Sequence, residues 1–333
     1  VPEDAAAEIH APGLPAVPLI HTAPRINGAE VLEQGYGFLM HMAHWDNPWV
    51  PLAAALIPAT AHARDPKTKK LVWLTQPRVF FTGEDGNIEG GEGKSRKARM
   101  TAWLCPDPER ITEMSKAYLI SQMAMGKTVI VTELDNVVGP SGRRCPWLPG
   151  LVNAGFEEDG KTGNQQDRQS AEKPLFGTFF LDGKAFILHT AGPNLGPMWS
   201  RSLIYRSKTA PEGYMAPRFT REMKAHAMAL RSRYARWMAQ EVADGIADHE
   251  PEIPEGLGNR PLDLWWNIFC AADAAGGPWP ALAREACRRS ESATGLPEQD
   301  AADAAIIAAR QRKWGVKLPT LPTAPIPDDG WGD

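Results

Sequence analysis

The chain has 333 residues, 43% of them apolar and 23% charged, with a formal charge of −4 at neutral pH. This composition belongs to a globular protein, and it excludes a uniformly basic surface of the kind that coats nucleic acid, although a local basic patch stays open. The four cysteines, Cys105, Cys145, Cys270 and Cys287, are far apart and form no Cys-x-x-Cys pair, so neither a disulfide framework nor a zinc site is expected and a cytoplasmic setting is the simple reading.

Residues 1–27 carry Pro2, Pro12, Pro15, Pro18 and Pro24 and read as an extended arm. They do not read as a signal peptide. The first residue is Val rather than Met, so further N-terminal sequence is expected. Residues 28–66 read as a helical lead-in: an amphipathic helix to Met42, then a mostly buried helix over 49–63 with Pro51 in its first turn. That second stretch is the longest apolar run. Pro51, Pro58 and His62 interrupt it and it is too short to span a bilayer, so no membrane partner is expected. His41 and His44 can share a helix face; without a cysteine or carboxylate neighbour, a structural role is the commoner reading than metal binding.

Residues 67–212 read as an α/β core. Leu71-Val72-Trp73-Leu74 and Arg78-Val79-Phe80-Phe81 have strand character. The second of these runs into Gly90-Gly91-Glu92-Gly93-Lys94-Ser95, and a helix is expected from Lys94 to Leu104, ended by Pro106 and Pro108. Strand, glycine turn and helix in this order suit a phosphate loop. Glycines let backbone N–H groups curl around phosphate oxygens, lysine supplies a mobile cation, and a following hydroxyl can ligate Mg²⁺. The full pattern asks for a further glycine where Ile88 stands.

A helix is expected over 111–125, then the apolar run Thr128-Val129-Ile130-Val131, followed by Thr132-Glu133-Leu134-Asp135. A buried strand ending in acids suits a site where carboxylates hold Mg²⁺ and orient an attacking water. A short helix over 151–155, strands over 176–181 and 185–188, and a helix end passing into a final strand over 200–206 complete the core. Thr190 and Asn194 are candidates for sensing a γ-phosphate. Residues 213–305 read as a helical lid, with helices over 220–245, 262–275 and 280–290, and residues 306–333 as a Pro-rich tail.

The stretch 254–265, Pro-Glu-Gly-Leu-Gly-Asn-Arg-Pro-Leu-Asp-Leu-Trp, followed by Ala-Ala-Asp-Ala-Ala-Gly-Gly-Pro-Trp-Pro at 271–280, resembles a family of P-loop proteins with a domain-of-unknown-function label, common in bacteria, phages and plasmids. Its members show "RPxDxWxxLxxxADxAGGxWP" near their end. Residues 91–95 look like its "GSGKT", 132–140 like its "DEIDTVFGP", 151–155 like its "LLNAG", and 201–206 like its "RSVIIRM". The resemblance covers roughly 28–290 and implies a P-loop NTPase of AAA+-like type, a three-layer core with a helical lead-in and a C-terminal helical lid. It also implies ATP and Mg²⁺ as ligands, a homo-oligomeric ring, and a helicase-like, DNA-acting role in replication of mobile elements.

Under that resemblance Gly91, Gly93, Lys94 and Ser95 cradle phosphate, with Arg260 a further phosphate contact. Ser95, Thr132 and Glu133 face the metal, Glu133 and Asp135 serve the water, and Arg201 acts as an arginine finger. Two departures stand out. Thr132 occupies the place of the family's first acid, and Glu84, Asp85, Glu89 and Glu92 make the loop acidic unless they pair with Arg96 and Lys97. Two functions therefore stay open: an ATP-hydrolysing motor, and a nucleotide-binding scaffold or regulator with weakened or lost hydrolysis.

Overall fold

The computed structural model describes residues 24–83, 93–111, 115–134, 145, 147–162, 173–183, 198 and 200–292. Its strands are β1 (Arg78–Gly83), β2 (Pro108–Ile111), β3 (Thr128–Val131), β4 (Lys161–Thr162), β5 (Lys173–Pro174), β6 (Phe179–Gly183) and β7 (Ser202–Ser207). Five of them form one parallel sheet in the order β2-β3-β6-β1-β7, and β4 and β5 pair as a small antiparallel ribbon. The fold is α/β.

The central strands are apolar on both faces because helices cover both. Val79, Phe81, Ile130, Phe180, Leu203 and Tyr205 join one core. Phe80, Val129, Val131, Phe179 and Leu181 join the other. This is the period of two that strand geometry imposes. On the first face lie α1 (Gly28–Met42), α2 (Trp49–His62), α3 (Lys94–Trp103), α6 (Arg221–Ala243), α7 (Asn259–Ala275) and α8 (Trp279–Ser292). On the second lie α4 (Lys116–Ala124) and α5 (Leu148–Ala154).

The lead-in helices and the C-terminal helices share a core. Tyr234 Oη donates to the Ala55 carbonyl at 2.8 Å, linking α6 to α2. Gly28 and Gly35 allow α6 to approach α1: a Cβ at Gly35 would come within 2.0 Å of Tyr234 Oη, and one at Gly28 within 2.4 Å of the Trp237 ring. Side-chain caps start three helices where the sequence offers Asn, Ser or Thr. Asn27 accepts from Glu30 N, Ser115 from Tyr118 N, and Thr220 from Met223 N. The end of the arm is tied down as well, with Ile26 N donating to Gln240 Oε1 at 2.9 Å and Arg25 paired to Glu241 at 3.0 Å.

Two elements differ from expectation. Leu71 to Leu74 adds no strand to the sheet; Leu71 makes a single bridge to Arg64, and Trp73 is buried with its indole N–H on the Thr60 carbonyl at 3.1 Å. Residues 108–111 form the edge strand β2 rather than a helix stop and a helix start. Pro108 is tolerated there because it is the first residue of an edge strand. Among the described residues no helix is long and apolar enough to cross a membrane.

Candidate functional site

The site forms where two neighbouring strands send the chain to opposite faces. After β1 the chain returns through α3 on the first face. After β6 it passes Met198, which is buried on the second face. Such a divergence opens a crevice beyond the carboxyl ends of the two strands, the position where open α/β sheets bind ligands.

Gly93, Lys94 and Ser95 stand at that crevice. Gly93 caps α3 with φ of 71°, in the left-handed region that favours glycine, and no side chain caps the helix start. Lys94 and Ser95 are the first two helical residues. Ser95 is exposed, so the crevice is open to solvent there. Its hydroxyl donates to Asp182 Oδ1 at 3.0 Å, and the backbone N–H of Glu133 donates to the same oxygen at 3.0 Å. One carboxylate on β6 thus joins the helix start after β1 to the turn after β3.

Asp182 is only 2% exposed, and its second oxygen, Oδ2, is buried without a hydrogen-bond partner. Thr132 is 1% exposed and its hydroxyl is likewise buried and unpartnered. The two residues are neighbours. Val131 pairs with Leu181 at the end of the β3–β6 ladder, Thr132 and Asp182 are the residues that follow, and the Glu133 N–H reaches Asp182. Asp182 faces the α3 side, where it meets Ser95, and Thr132 leads into Glu133, whose N–H meets the same carboxylate. Glu133 is exposed and has φ of 56°, a conformation that costs a non-glycine residue energy.

Burial pushes the Asp182 carboxyl above its ordinary value, while the Glu133 N–H, the Ser95 hydroxyl, Lys94 and Arg110 favour its charged form. A raised folded-state value means that the folded protein holds this proton longer than the unfolded chain does. The stability from this group is therefore fully present below the ordinary carboxylate range and is lost as pH rises through the folded value. Asp182→Asn keeps an oxygen for Ser95 and Glu133 and removes the buried charge. Without ligand it should raise the melting temperature at neutral pH, by an amount on the order of 1 kcal/mol in stability. Melts taken down through acid should show that advantage vanish.

Not every expected residue gathers here. Arg201 precedes β7 and its backbone carbonyl accepts from Arg78 N at 3.1 Å, which puts it at the amino edge of the sheet. Its side chain lies 3.9 Å from Glu157 and 5.7 Å from the Phe156 ring centre. Arg260 lies 5.8 Å from the same ring centre and pairs with Asp263. Both arginines are thus on the edge opposite Lys94. Arg96 turns to the carbonyls of Met42 and Pro217, and buried Lys97 lies 3.6 Å from Asp46. Gly91, Asp135, Thr190, Asn194 and the loop acids Glu84, Asp85, Glu89 and Glu92 lie outside the described residues.

Asp182 itself escapes a reading by apolar runs, because the run Phe179-Phe180-Leu181 ends just before it. The available signal is an acid at the end of an apolar run, the kind of signal that singled out Glu133.

Comparison with known proteins bears on the helical half. The family described as "Protein of unknown function (DUF3631)" matches residues 206–324. That stretch runs from β7 through α8 and beyond the described residues, and it does not include the Gly93–Ser95 turn. A protein of Saccharopolyspora erythraea named "Uncharacterized 28.9 kDa protein in xis 5'region" is 37% identical over 79 residues, 24% of this chain and 29% of that protein. The chain therefore spans about three-tenths of that relative's length.

Proposed function

We propose that the chain binds ATP with Mg²⁺ in the crevice between β1 and β6, and that it is a P-loop protein of AAA+-like type. The observation that carries this reading is a Gly-Lys-Ser helix start at a sheet switch point, with an orphaned buried carboxylate oxygen beside it. Backbone N–H groups of Gly91 and Gly93 and the first turn of α3 offer donors to phosphate oxygens, and Lys94 supplies the mobile cation. Ser95, Thr132 and Glu133 are hard oxygen donors suited to Mg²⁺, and the unpartnered Thr132 hydroxyl fits such a role. When bound, the ion neutralises charge on the β- and γ-phosphates.

For hydrolysis, Glu133 and Asp135 orient the attacking water, and Thr190 or Asn194 senses the γ-phosphate. Arg201 and Arg260 stand at the far edge of the sheet, so within one chain neither meets a phosphate held by Lys94. In a ring, Arg201 can reach a neighbour's site, where an arginine finger contributes about 10³–10⁵ in rate. The relative named for a xis 5' region supports a mobile-element setting.

A second reading, a nucleotide-binding scaffold without turnover, is favoured by the uncharged Thr132 at the end of β3 and by the exposed Glu133 side chain. Phosphate release with and without DNA, alongside a mass measurement in ATP, separates the two. The motor gives DNA-stimulated release and a ring. ATP binding with no release in either condition identifies the scaffold, and absence of ATP binding removes both.

A further inference from the structure

We infer that Asp182, on β6, is the carboxylate that seats a divalent cation here, with Ser95 Oγ and Thr132 Oγ1 as its companions. This inference rests on the phosphate-site reading above, and it relocates the acid from the strand where Thr132 stands to the neighbouring one. Three features converge. Asp182 Oδ1 is already engaged by Ser95 and the Glu133 N–H, so the carboxylate is held in one orientation. Its Oδ2 is buried without a partner, an arrangement that costs free energy unless something positive occupies it. The Thr132 hydroxyl, one residue before the Glu133 N–H that binds Asp182, is a second buried oxygen without a partner.

The cation explains how an acid can stand beside a phosphate site at all. A buried carboxylate facing phosphate oxygens repels them, and a divalent ion between the two turns that repulsion into a bridge. Lys94, close enough to favour the charged carboxylate, is too mobile a single charge to neutralise both. Oxygen donors from a hydroxyl, a second hydroxyl and one carboxylate, completed by phosphate and water, are what Mg²⁺ and Mn²⁺ accept.

The sign of the consequence is specific. Removing the charge at Asp182 should favour nucleotide without metal and abolish the gain that metal brings. The test uses the whole chain, the non-hydrolysable analogue AMP-PNP, and Mn²⁺ followed by its paramagnetic resonance signal. In wild type, Mn²⁺ should bind with the analogue. In Asp182→Asn, the analogue in EDTA should bind at least as tightly as in wild type, while Mn²⁺ affinity falls about 10–100-fold. Thr132→Val, an isostere that removes the orphaned hydroxyl and should fold at least as well, should also weaken Mn²⁺. Mn²⁺ held as in wild type by both variants overturns the inference while leaving the nucleotide site standing. If wild type binds no analogue with or without metal, the phosphate-site reading falls and this inference falls with it.

Discussion

Lys94→Ala should lower affinity for Mg·ATP by about 10–100-fold, the value of charge-assisted hydrogen bonds to phosphate. Lys94 opens α3 directly after Gly93, whose left-handed backbone turns the chain into the helix. It is half-buried, and it is near enough to Asp182 to favour that carboxylate's charge. The substitution leaves the sheet and both cores untouched, so the melting temperature without ligand should change little. Calorimetric titration and a melt of the same sample check the two halves together. Loss of binding with an unchanged melt is the expected pair. Binding at wild-type strength would place the phosphate somewhere other than the α3 start.

Thr132→Asp is the second large effect, and its sign is opposite to what the family pattern suggests. Restoring the acid after β3 looks like a repair. In this chain it buries a second carboxylate next to the residue whose N–H holds Asp182, at a position 1% exposed. Two like charges that close cannot both ionise cheaply, so the protein without ligand should lose about 2–4 kcal/mol. The loss should be relieved in acid, because the coupled pair holds a proton the unfolded chain has given up at neutral pH. Mg²⁺ with AMP-PNP should recover much of it. Combining Thr132→Asp with Asp182→Thr returns one carboxylate to the pair and should melt near wild type. Thermal melts across pH, with and without Mg·AMP-PNP, read all of this. A Thr132→Asp protein as stable as wild type in EDTA would mean that the two side chains do not face each other.

How much of this was legible in the sequence depends on the kind of signal. β1, the Gly93 turn and α3 are local, and a run of apolar residues followed by glycine, lysine and serine shows them directly. The run at β3 is equally plain because both its faces are buried. β2 was not legible: Pro-Glu-Arg-Ile has neither an apolar run nor a clean alternation, and only its hydrogen bonds to β3 make it a strand. Leu71 to Leu74 misled in the other direction: Leu71 and Trp73 pack into the core with a single bridge to Arg64, and Leu74 is exposed.

The site divides in the same way. Lys94 and Ser95 are named by their local pattern. Asp182 is brought to Ser95 and Glu133 across 87 and 49 positions of chain, and strand order alone does that. The location of Arg201 could have been inferred without coordinates. In a parallel sheet, a residue just before a strand lies on the edge opposite the residues just after the other strands. Arg260 offered no such clue; it reaches the same edge through Phe156.

The most direct test of nucleotide binding in the β1–β6 crevice is a calorimetric titration of Mg·AMP-PNP into the wild-type chain and into Lys94→Ala. Saturable binding by wild type, weakened about 10–100-fold by the substitution, is the predicted result. No binding heat in wild type, or equal binding by both proteins, would contradict it.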